Sequence, residues 1–140
     1  MRFWDTSALV PLIVQERRSE EVTRLLEADR GMTVWWATPV ECASAIARYE
    51  RGGIVTTDGA NDASDALREL QADWTEIPPS ARLRELARRL LRTHPLRAAD
   101  ALQLAAALIA AEEEPETLGF VCLDERLTHA AQREGFTVTP

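Results

Sequence analysis

The chain contains no lysine; all 16 of its basic side chains are arginine. That excludes sites built on a catalytic lysine, and a genomic Arg-for-Lys bias suffices as its cause. Cysteine is nearly absent. Cys42 and Cys122 fall in an expected helix and an expected strand, at a spacing that fits no zinc or redox motif. Both read as small buried apolar residues of a cytoplasmic protein. Long apolar runs are missing too. The longest, Leu104 to Ala111, is too short to span a bilayer. Asp5 interrupts the start before the apolar core of a signal peptide develops, so no membrane association is expected. The six glycines are scattered, which excludes a P-loop and a G-x-G-x-x-G turn, and there is no G-x-S-x-G elbow. The two histidines, His94 and His129, fall far from the acids singled out below and read as non-catalytic. Of Trp4, Trp35, Trp36 and Trp74, three fall in expected strands and read as core rather than as base-stacking surfaces. Positive charge is not in excess either: the net charge is −7, which excludes a generally basic nucleic-acid binder. One basic cluster remains, Arg82, Arg84, Arg88, Arg89, Arg92 and Arg97. It reads either as a phosphate-tracking surface or as a solvated helix face.

What is present suits one domain spanning residues 1–140, since a chain of 140 residues buries about 68 % of its unfolded surface without staples. Short apolar segments at Arg2–Asp5, Thr33–Ala37 and Leu118–Leu123 read as buried strands. Trp74–Ile77 and Phe136–Thr139 are weaker strand candidates. Between them, apolar stripes at helical spacing predict helices over Thr6–Val14, Ser19–Ala28, Thr38–Gly52, Asn61–Asp73, Ser80–Arg92, Ala98–Ala111 and Asp124–Arg133. This alternation predicts an α/β fold, with a parallel sheet of four or five strands between two helical layers.

Four carboxylates stand where apolar segments pass into helices: Asp5, Glu41, Asp100 and Asp124. Each has a local explanation. Asp5 and Asp124 suit N-caps. Thr38-Pro39-Val40-Glu41 fits a capping box. Asp100 lies in a first helical turn, where the dipole favours negative charge. Their joint placement says more. The carboxyl ends of parallel strands share one edge, where ligands bind. Acids gathered there repel one another unless they share protons or hold a cation. Asp100 and Gln103 are the two polar side chains in the otherwise apolar stretch Ala98–Ala111, and an unpaired buried charge is costly. A hard divalent cation resolves both conflicts.

The segments Phe3-Trp4-Asp5-Thr6-Ser7-Ala8-Leu9, Thr38-Pro39-Val40-Glu41, Leu96-Arg97-Ala98-Ala99-Asp100-Ala101-Leu102-Gln103-Leu104 and Phe120-Val121-Cys122-Leu123-Asp124-Glu125-Arg126-Leu127 resemble those of PIN-domain ribonucleases. The closer resemblance is to VapC-type toxins of bacterial toxin–antitoxin pairs. It implies an α/β/α sandwich and a Mg²⁺ or Mn²⁺ site built from Asp5, Glu41, Asp100 and Asp124. It also implies endonucleolytic cleavage of RNA, inhibition by a small cognate antitoxin, and homodimerisation. The chain departs from the pattern at Cys122, where many relatives carry Ser or Thr. A thiol is a poor substitute for a hydroxyl as a hydrogen-bonding group.

Within such a site, Asp5 and Asp100 are the expected direct ligands. Glu41 or Asp124 would orient or deprotonate the attacking water. Thr6 and Ser7 would bind the scissile phosphate or simply open a helix that favours hydroxyls. Arg97 would hold an acid or meet RNA phosphate. Two rivals use the same acids. A phosphatase or phospho-receiver would need a second acid beside Asp5 or a lysine, and has neither. A catalytically idle binding module would use the acids as caps alone.

Overall fold

The computed structural model describes residues 1–140. Five strands form one parallel sheet in the order β3-β2-β1-β4-β5, comprising β1 (Arg2–Trp4), β2 (Met32–Trp35), β3 (Thr75–Ile77), β4 (Gly119–Val121) and β5 (Val138–Thr139). Seven helices connect them: α1 (Thr6–Ile13), α2 (Ser19–Ala28), α3 (Thr38–Arg51), α4 (Thr57–Asp73), α5 (Ala81–Thr93), α6 (Ala98–Ala110) and α7 (Glu125–Arg133). All strand pairs are parallel, with Phe3 beside Phe120 and Trp4 beside Val121 in register.

Strand side chains alternate between faces, and the two cores follow from that. Phe3 and Phe120 point into a core with α5, α6 and α7, their rings stacked with centroids 5.4 Å apart. Trp4 and Val121 point the other way, into a core with α1, α2, α3 and α4. The expected three-layer α/β/α architecture is therefore present. α6 is buried along most of its length, from Ala101 and Gln103 to Leu108, as its nearly uniform apolarity requires. α5 is amphipathic, with Leu83, Leu86, Ala87 and Leu90 inward. Its arginines face out, and Arg82, Arg88 and Arg89 are spent on Glu113, Glu85 and Glu134. Half of the six-arginine cluster is thus ion-paired on the outer face of α5.

Several element boundaries differ from expectation, and three of the differences are informative. α4 starts at Thr57, not Asn61, because the Thr56 side chain accepts from the Gly59 N–H at 3.0 Å and caps it. β2 ends at Trp35, so Trp36 leaves the sheet and is 55 % exposed. Trp4, Trp35 and Trp74 are buried. β5 is only Val138–Thr139; Phe136 instead packs its ring 5.4 Å from Phe120. Gly135 precedes it with φ +106°, and a Cβ there would lie 2.9 Å from Pro115 Cγ. Only glycine fits this turn. No helix is long and apolar enough to cross a membrane.

Leu104 is fully buried at the centre of α6. Leu104→Ala is expected to cost about 3 kcal/mol through lost burial and a residual cavity. A urea midpoint shift at unchanged m-value measures it; a loss under about 1 kcal/mol would contradict this placement of α6.

Candidate active site

β1 leads to β2 and β3 on one side, while β4 and β5 lie on the other. The sheet therefore changes direction between β1 and β4, and a crevice opens beyond their carboxyl ends. The chain closes the wall of this crevice tightly. The Asp5 N–H donates to the Val121 carbonyl at 3.0 Å. Ser7 Oγ accepts from the N–H groups of Leu123 at 2.9 Å and Asp124 at 3.2 Å. Ser7 thus stitches the start of α1 to the end of β4 while also lining the crevice.

Asp5, Glu41, Asp100 and Asp124 all line one open basin of about 460 Å³, with Thr6, Ser7, Val10, Glu16, Ser44, Ala45, Arg48 and Tyr49. Four separate chain segments supply the four acids. Asp5 and Asp124 are also caps: Asp5 Oδ2 accepts from the Ser7 N–H at 3.0 Å, and Asp124 Oδ1 from the Leu127 N–H at 2.8 Å. Capping uses one oxygen of each and leaves the other. The expected capping box at Glu41 does not form. Ala37 is the N-cap of α3 and no side chain caps it. Thr38 is buried, and Glu41 turns into the basin, because Gln103 claims both. Its Nε2 lies 2.9 Å from Glu41 Oε2, 3.2 Å from Thr38 Oγ1 and 3.0 Å from Thr6 Oγ1.

Asp5 is 4 % exposed, and burial pushes its carboxyl up to about 6 against the lowering effect of the Ser7 hydrogen bonds, with Asp100 and Asp124 adding repulsion. Glu41 is pushed up to about 7, by burial first and then by Asp5. Asp100 is raised by burial and by Asp124, while the backbone and guanidinium of Arg97 and the guanidinium of Arg126 pull the other way. Arg97 itself is exposed at the start of α6 and caps nothing with its side chain. Cys122 lies beneath the acids, its Sγ 3.7 Å from Asp5 Oδ2 and 3.6 Å from Ser7 Oγ. Burial pushes its thiol up to about 12, so it stays protonated as a weak donor. As placed, no three His, Cys, Asp or Glu side chains form a ready-made metal cluster. The expected acids share a basin, not a closed cage. The donor set is nonetheless all oxygen and all anionic, which suits a hard cation that keeps part of its water shell.

The PIN domain family matches the chain over residues 2–132. The chain belongs to the PIN domain family. No curated protein matches it significantly. Its fold is similar to a chain in the crystal structure of FitAcB from Neisseria gonorrhoeae. There the TM-score is 0.67 and the identity 14 %, with 100 % of this chain and 97 % of that chain covered.

Gln103 is one residue of this PIN domain that sequence reasoning did not place at the site. The signal was there: a polar side chain one turn after Asp100 on an apolar helix. Ser44 and Arg48 follow Glu41 at helical spacing and were also missed. Glu16 and Tyr49 carry no local signal; tertiary packing alone brings them in. His94 is buried, with Nε2 2.8 Å from Glu134 Oε2, and does not line the basin. A separate apolar cleft of about 300 Å³ beside Met32 and Trp74 contains none of the four acids.

Raised carboxyl pKa values mean that the native state binds protons more tightly than the unfolded chain between about pH 4 and 7. Stability therefore falls as pH rises through that window, by an amount on the order of 3 kcal/mol for Asp5. Asp5→Asn keeps the cap and is expected to raise Tm in EDTA at pH 7.5 and to flatten its pH dependence. A lower Tm in that variant would contradict the electrostatic cost assigned to Asp5.

Proposed function

We propose that this PIN domain is a Mg²⁺-dependent endoribonuclease that hydrolyses RNA phosphodiester bonds, with Mn²⁺ able to substitute. One observation carries the reading: four carboxylates from four segments line a single crevice at the point where the sheet changes direction. A cap needs no such gathering, and the gathering costs stability. Family membership supports nuclease chemistry, and the motif resemblance to VapC-type toxins supports the toxin of a toxin–antitoxin pair. On that reading a cognate antitoxin holds the enzyme inactive, and the active form is a homodimer in the cytoplasm.

When bound, the divalent ion supplies positive charge that offsets the carboxylates and the phosphate oxygens. Asp5 and Asp100 would hold it, since burial leaves both acids in need of a counter-charge. Asp124 keeps one oxygen free beyond its cap and stands at the rim. Glu41 is the residue suited to take a proton from the attacking water. Its Oε2 is held by Gln103, which keeps the carboxylate in the basin beside Asp5 and Asp100, where a general base must stand. Cys122, as a neutral thiol, supports Asp5 and transfers no proton. Arg97 and Arg126 act on Asp100 electrostatically, and both are exposed, where an RNA phosphate could meet them.

Asp100→Asn is expected to lower the cleavage rate by more than about 100-fold, beyond the loss of a supporting residue, while the fold stays intact by circular dichroism. Mn²⁺ at 100 times its Kd should stabilise wild type by about 2.7 kcal/mol, read as a rise in Tm that Asp100→Asn reduces. Wild type that neither cuts RNA nor responds to Mn²⁺ would favour the idle binding module. Hydrolysis of an aryl phosphate without RNA cleavage would favour the phosphatase.

A further inference from the structure

The basin is larger than its four acids need. A water occupies about 30 Å³, so a partly hydrated ion leaves much of the roughly 460 Å³ free. The remaining lining comes from one face of α3 and what packs beside it. Ser44 and Arg48 follow Glu41 by three and seven residues, so all three share a helix face. Arg48 stands about 10 Å along the helix axis from Glu41.

Arg48 is the single cation lining a basin that five carboxylates line, Glu16 being the fifth. It is exposed and forms no ion pair; six of the 16 arginines are paired, so its place among these five carboxylates is what sets it apart. Glu16, which lines the same basin, instead accepts the Tyr49 hydroxyl. The Arg48 guanidinium carbon lies 5.8 Å from the Tyr49 ring centroid. The aromatic face orients the cation without consuming its donors. A planar guanidinium left with free donors matches a phosphate in the two-point manner that an ammonium does not. A polyanion approaching these acids also needs one local positive charge beyond the ion.

We infer that this half of the basin is a nucleotide subsite, in which Arg48 grips the RNA phosphate next to the one being cut and the Ser44 hydroxyl hydrogen-bonds the same group. Tyr49, tied down by Glu16, sets the plane of the guanidinium. The inference rests on the endoribonuclease reading and adds a residue that fixes how the strand lies across the ion.

The test measures binding of a short fluorescein-labelled single-stranded RNA of mixed sequence to Asp100→Asn protein, with and without Arg48→Ala, across a range of salt concentrations. Arg48→Ala is expected to weaken binding about tenfold. It should also reduce the slope of log Kd against log salt by about 0.7, the value of one lost single-strand phosphate contact. Arg48→Lys should restore the slope but only part of the affinity, since it keeps charge and loses the fork. In the active protein, Arg48→Ala should raise KM more than it lowers kcat, at unchanged Tm. RNA cleavage by wild type with Kd and salt slope untouched by Arg48→Ala would overturn the subsite while leaving the nuclease reading in place. Wild type that neither binds nor cuts RNA would overturn both.

Discussion

Burial of several carboxylates together in one crevice is the constraint around which the molecule is arranged. The parallel sheet brings the ends of β1 and β4 side by side, and the Asp5 N–H to Val121 carbonyl bond fixes that contact. Ser7 ties the following turns together. Once those bonds form, Asp5 and Asp124 cannot move apart to relieve their repulsion. Burial of Asp5 is the largest part of the cost, since water no longer solvates the charge. A fold selected for stability alone would place an apolar residue at such a point. On the proposed reading, the acids are kept here because a cation enters.

The polar interior of α6 serves the same arrangement. Gln103 is buried among Leu104, Ala105 and Ala106, yet its amide nitrogen reaches Glu41, Thr38 and Thr6. This contact draws the start of α3 towards the start of α1 and turns Glu41 away from a cap and into the crevice. α3 then carries Ser44 and Arg48 to the same opening. Fold and acid placement thus depend on a few hydrogen bonds between helix starts.

Much of this was legible in the residues. The uninterrupted apolarity of Thr33–Ala37 and Leu118–Leu123 marked buried parallel strands, and four acids at strand-to-helix junctions marked the crevice. The start of α4 was not legible, because Gly59 resembles a breaker until the Thr56 cap is seen. Trp36 read as core because its neighbours are apolar, but the chain turns towards α3 one residue earlier. Glu41 fitted a capping box as well as a site, and local pattern alone could not choose between them. The choice was made from a distance, by Gln103. Glu16 and Tyr49 meet through packing between distant segments, which no spacing in the sequence encodes.

The central claim is that these acids share a divalent cation. Crystals grown with Mn²⁺ and measured at a wavelength where manganese scatters anomalously test it directly. The account predicts an anomalous peak in the basin within coordination distance of Asp5 and Asp100, lost in crystals of the Asp100→Asn protein. Manganese-saturated crystals with no peak among the four carboxylates would contradict it.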